Sequence, residues 1–191
     1  KTMYILKETK RKFHRNLRKW YLKNKRDFPW RHGKDSYKIL ISEVMLQKTN
    51  ASKVIPAYIE FIKKYPTIRL LQNAKICDVK KLLKPLGLIY RAERLISIAK
   101  ILSNYNQGKV PYQRDLLLKL KGLGKYAASA VMCFAFNKRV PIVDNSIVRL
   151  FERFFGYVSL KKRPRDDACL WNLAGTILPE RNIKDYNYAL L

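Results

Sequence analysis

Cysteine is scarce in this 191-residue sequence, and its three copies stand far apart at Cys77, Cys133 and Cys169. No pair has the close spacing of a metal knuckle, and three isolated thiols make no disulfide framework. They also argue against a zinc or iron–sulfur site built by this chain alone, so each is expected to be a small buried hydrophobe. Acidic residues are few, 14 against 41 lysines and arginines. No apolar run is long enough to cross a bilayer, which leaves no membrane partner. Nothing reads as a signal peptide, so an intracellular address is expected. Internal repeats, low-complexity tracts and sustained apolar–polar alternation are all missing, and the last of these argues against sheets.

What is present is charge on a foldable chain. The formal net charge is +27, with 48% hydrophobic residues. Such a balance describes a globular protein with a polyanionic partner, nucleic acid first among them. Residues 1 to 26 carry eleven Lys and Arg and the single acid Glu8. Phe13, Leu17, Trp20 and Tyr21 recur there at helical spacing, which predicts an amphipathic helix with a solvated basic face. Helical patterns follow over 36–47, 51–65, 77–86, 91–104, 115–120, 125–136 and 145–155. Pro85, Pro111, Pro141 and the glycines fall between them, where helix breakers belong. The fold class read from this pattern is all-α.

Three places carry chemistry. Leu120-Lys121-Gly122-Leu123-Gly124-Lys125 joins two short helices. Gly122 and Gly124 permit a tight hairpin that approaches another molecule closely. The amides opening the next helix suit a phosphate, with Lys121 and Lys125 adding charge. Asp144 is the sole acid between 120 and 151 and follows the apolar Pro141-Ile142-Val143. It is either a plain N-cap of the helix from Asn145 or a fixed negative charge for a cation forming at a deoxyribose C1′. Glu43 sits among Ile39, Leu40 and Leu46. On that apolar face it is either a salt-bridge partner or a carboxyl with a raised pKa, held as an acid. Two carboxyls in unlike environments are what cleavage of a glycosidic bond uses.

Together, 120–125, Val143-Asp144, Asp27-Phe28-Pro29-Trp30-Arg31 and Ser42-Glu43-Val44-Met45-Leu46-Gln47 resemble the helix-hairpin-helix DNA glycosylases related to endonuclease III. The resemblance spans nearly the whole chain. It implies a two-lobed fold, with a six-helix barrel over 27–138 that includes the hairpin. A second lobe would form from 1–26 and 139–191, with DNA in the cleft between them. It further implies a monomeric base-excision enzyme acting on mismatched double-stranded DNA, with the target base flipped out of the stack. Asp144, Tyr126 and Glu43 become the candidate catalytic residues. Gly122, Gly124, Lys121, Lys125, Gln47, Lys48 and Arg31 become candidate DNA contacts, Gln47 and Lys48 as a wedge in the gap left by the flipped base.

Strand-cutting relatives place a lysine immediately after the position of Lys125, and this chain has Tyr126. Tyrosine forms no Schiff base, so the resemblance points to a glycosylase without efficient lyase activity. Thymine–DNA mismatch glycosylases share DFPWR, an acid at Glu43, the Tyr–Asp pair and Tyr90-Arg91-Ala92-Glu93-Arg94. Adenine glycosylases of the MutY type share the stretch from Glu43 to Gln47, but they have a longer segment where this chain has Gly87-Leu88-Ile89-Tyr90-Arg91. Thymine or uracil opposite guanine is therefore the expected target, adenine the alternative. A DNA-binding module without catalysis is the non-enzyme alternative. Both branches usually carry a four-cysteine iron–sulfur loop that does not occur here, so no cofactor and no metal are expected in this chain. Asn145-Ser146 also departs from relatives that place Asn two residues after the aspartate.

Overall fold

A computed structural model describes residues 7–105 and 107–191. The chain is all-α, and no strand occurs among the described residues. The helices are α1 (Lys7–Asn24), α2 (Ser36–Leu46), α3 (Ala51–Lys64), α4 (Ile68–Gln72), α5 (Ile76–Leu83), α6 (Tyr90–Tyr105), α7 (Arg114–Leu118), α8 (Lys125–Phe136), α9 (Asn145–Phe155), α10 (Ala168–Ile177) and α11 (Ile183–Leu190). Short 3-10 turns occupy Pro29–Arg31, Lys84–Leu86 and Pro164–Asp166. The chain divides into two compact units, 27–136 and the pair 1–26 with 137–191.

In the unit of residues 27–136, α2 is the central element. Asp35 starts it by accepting amides from Tyr37 and Lys38, the capping that an Asx side chain supplies best. Residues 37, 39, 40, 41, 43, 44 and 45 are all buried, along with Ser42. A helix that is apolar nearly all round belongs inside a core, and α2 packs on α8, α3 and α6. The small residues Ala127, Ala128, Ser129 and Ala130 of α8 are buried and let the two helices approach closely. The 3-10 turn at Pro29 buries Trp30, which stacks on Phe28 at 5.0 Å and meets Tyr58 of α3 edge-on at 5.4 Å.

The other unit is organised around Phe13 of α1. Its ring lies 4.9 Å from both Phe154 and Phe155, 6.1 Å from Phe151 and 6.4 Å from Tyr186. One buried phenylalanine thereby ties α1 to α9 and α11, and truncating it to alanine should cost about 3–5 kcal/mol. The amphipathic reading of α1 is right for Phe13, but Trp20 is half exposed. The first six residues of that expected helix lie outside the described residues. Gly156 ends α9 in the left-handed conformation, the usual place for a glycine C-cap.

Two cysteines depart from expectation. Cys133 is buried in α8, whereas Cys77 and Cys169 are exposed. Both exposed thiols stand in the first turn of a helix, where side chains splay away from the core. The helix expected over 77–86 stops at Leu83 because Pro85 tightens the chain into a 3-10 turn.

Candidate active site

Glu43 is the most unusual titratable group in the unit of residues 27–136. It is 5% exposed, and its Oε2 has no hydrogen-bond partner among the described residues. Burial pushes its carboxyl up to about 8, partly opposed by the nearby Arg31 guanidinium. Desolvation penalises the charged form more than one cation favours it, so the surroundings of Glu43 favour its protonated form. The salt-bridge alternative is not what the structure contains, since no ion pair to Glu43 forms within 4 Å among the described residues. Arg31 is half-buried, lies over the Phe28 ring at 5.0 Å and acts on Glu43 through its charge.

The hairpin connects α7 to α8. Gly122 has φ +83, and both Gly122 and Gly124 are exposed. Lys121 and Lys125 are exposed, and Lys125 opens α8. Helix N-termini with free amides and nearby cations are favourable surroundings for an anion. Tyr126, the next residue, is half-buried in the first turn of α8.

Gln47 caps the C-terminal end of α2. Its Nε2 donates to the Gly122 carbonyl at 3.0 Å, and its Oε1 accepts from Arg94 Nη1 at 2.6 Å. Lys48 follows, exposed and with φ +56. Sequence reasoning quoted Arg91 and Arg94 within a resemblance but gave them no role. Arg91 is fully buried, donating from Nη1 to Met45 O at 2.7 Å and from Nη2 to Gln47 O and Thr49 Oγ1. It thereby satisfies carbonyls left open where α2 ends.

In the other unit, Asp144 is the N-cap of α9. Its Oδ1 accepts from both Ser146 N and Ile147 N at 2.8 Å. The cap reading is correct, and it does not exhaust the residue, because both capping bonds fall on one oxygen. Oδ2 stands outside the cap. Both capping bonds come from backbone amides, so the order Asn145-Ser146 does not alter this support.

Residues 41–171 match the HhH-GPD superfamily of base excision DNA repair proteins. The chain belongs to that superfamily. This HhH-GPD protein is 35% identical to a thymine/uracil-DNA glycosylase of Pyrobaculum aerophilum over 94% of its own length and 80% of the relative's. It is 33% identical to an adenine DNA glycosylase of Buchnera aphidicola, over 96% of its own length but 53% of the relative's. Among solved structures, that of a thermostable thymine-DNA glycosylase superposes with a TM-score of 0.90 at 36% identity, covering 96% of this chain and 84% of that one. The HhH-GPD protein is accordingly a DNA N-glycosylase of base excision repair with the all-α fold of that group. Of its cysteines Cys133 is buried while Cys77 and Cys169 are exposed, and no three His, Cys, Asp or Glu side chains gather among the described residues. No helix among the described residues is long and apolar enough to cross a membrane.

Proposed function

We propose that this protein hydrolyses the glycosidic bond of thymine or uracil opposite guanine in duplex DNA and leaves the strand uncut. The similarity to thymine/uracil glycosylases over most of both chains carries this reading. In it, Asp144 offers its carboxylate to the cation developing at C1′. Neutral Glu43 donates to the departing base. The backbone at Gly122 and Gly124 and the charges of Lys121 and Lys125 take phosphates. Gln47 and Lys48 occupy the space of the flipped base or touch its orphaned partner. Tyr126 supplies no amine, so water completes the reaction.

Incubating the protein with T:G, U:G, A:G and A:8-oxoguanine duplexes, then treating with alkali, tests the target. Abasic breaks in the first two and not the last two are expected. Breaks chiefly in the adenine duplexes would replace the proposal with the adenine activity, and none at all would leave only a binding module. Binding should weaken steeply with salt. About five neutralised phosphates give a log–log slope of about −4 to −5, and a slope near zero would remove the hairpin contacts.

A further inference from the structure

The two arginines of α6 lie one turn apart and act on one short stretch. Arg91 fixes the backbone carbonyls of residues 45 and 47 and the Thr49 hydroxyl, while Arg94 reaches the side chain of Gln47. Arg94 also lies over the Tyr90 ring at 5.1 Å. A Cβ on Gly122 would fall 2.0 Å from Arg94 Nε, so the guanidinium fills the space that a side chain there would take. Glycine at 122 is thus required twice, by its φ and by Arg94.

The chemistry of this cluster fixes an orientation. A guanidinium only donates and a peptide carbonyl only accepts. An amide between Arg94 and the Gly122 carbonyl therefore has one satisfied orientation, with oxygen to Arg94 and nitrogen to the hairpin. A rotated amide would set donor against donor and acceptor against acceptor.

We propose that Arg94 is a positioning residue that presents Gln47 in one amide orientation and couples it to the phosphate-binding hairpin, so that opposite-base preference depends on Arg94. Arg94 touches neither base nor sugar in this scheme. It acts through Gln47, and the proposal rests on the reading that Gln47 meets the duplex at the flipped base. A loop shift that moves Gly122 on phosphate binding is transmitted to Gln47 through two hydrogen bonds, with Arg91 holding the backbone still.

A double-mutant cycle tests this. Gln47→Ala, Arg94→Ala, Arg94→Lys and Gln47→Ala with Arg94→Ala are compared by single-turnover excision from U:G duplex, U:A duplex and single-stranded uracil DNA. Thermal melting is followed alongside. Arg94→Ala should lower the U:G to U:A ratio by about 10-fold, an effect of the size of a lost oriented hydrogen-bond pair. Adding it to Gln47→Ala should change the ratio no further, the signature of coupled residues. Arg94→Lys keeps the charge but not the fork, so it should resemble the alanine variant, and it serves as the test should Arg94→Ala not fold. An unchanged ratio in Arg94→Ala or Arg94→Lys, alongside a lowered ratio in Gln47→Ala, overturns the positioning role while sparing Gln47. Equal losses on duplex and single strand overturn it in favour of a general structural role. No change in Gln47→Ala overturns the duplex role of Gln47 and this inference with it.

Discussion

Glu43 and Asp144 are the same functional group in opposite settings. Glu43 is sealed inside the unit of residues 27–136, with Oε2 lacking a donor and its pKa driven up by burial. Asp144 stands half-exposed at a helix start in the other unit, with two backbone amides on one oxygen. One environment favours a protonated carboxyl, and the other engages a carboxylate oxygen with backbone amides. Separated environments of this sort are how a pair of carboxyls divides acid and electrostatic work. The contrast is set by surroundings: burial leaves Glu43 Oε2 without a hydrogen-bond partner among the described residues, whereas α9 offers Asp144 its free amides.

The largest way to break the contrast is Asp144→Asn. Asparagine caps a helix as well as aspartate does, so melting temperature and DNA affinity should hold. Base excision should fall at least about 100-fold, or about 2.7 kcal/mol of transition-state stabilisation. Single-turnover kinetics with a binding titration measures both. Near-normal excision would reduce Asp144 to its cap.

A smaller effect sharpens the assignment of water as nucleophile. Tyr126→Lys should slow excision about 10-fold and gain strand cleavage with a borohydride-trapped adduct, because an amine then stands in the first turn of α8. Efficient trapping by the unaltered protein would mean that another amine reaches the sugar.

Much of this was readable from the chain. Helix α8 runs over Lys125–Phe136 and α9 over Asn145–Phe155, as glycine before one and Asp144 before the other predict. Glu43 announced itself because an acid among Ile39, Leu40 and Leu46 has no cheap reason to be there. Arg91 and Arg94 did not announce themselves. In a sequence with 41 cations, two more on a helix look like solvated surface, and only the fold reveals that Arg91 is fully buried. The resemblance gives Gln47 a place in the gap of the flipped base, and the structure adds a bond to Gly122, 75 residues away. Long-range pairing of that sort has no local signature. The same holds for α10 and α11, whose apolar residues are interrupted by Pro179 and lack a clean period.

A separate effect concerns stability. With the Glu43 pKa raised to about 8 from 4.5, the folded state stays protonated where the unfolded chain has already lost its proton. The stability Glu43 contributes is full below about 4.5, declines as pH rises and is gone above about 8. One proton sets an upper slope of about 1.4 kcal/mol per pH unit in that window. Glu43→Gln removes this contribution, so melting of the variant should gain on the unaltered protein between pH 5 and pH 8 by up to about 10 °C, since an upper limit of about 4 kcal/mol over that window converts at a few degrees per kcal/mol. Parallel melting curves across the window would mean that Glu43 is charged in the folded state.

The division of labour between the two acids is tested most directly by the pH dependence of single-turnover excision from a U:G duplex, measured for the unaltered protein and Glu43→Gln. The unaltered protein should lose rate as pH rises through about 8, where Glu43 gives up its proton. Glu43→Gln should be slower near neutrality and flat across the same range. A flat profile in the unaltered protein up to pH 9, or the same falling limb in both, would contradict a protonated Glu43 as the acid.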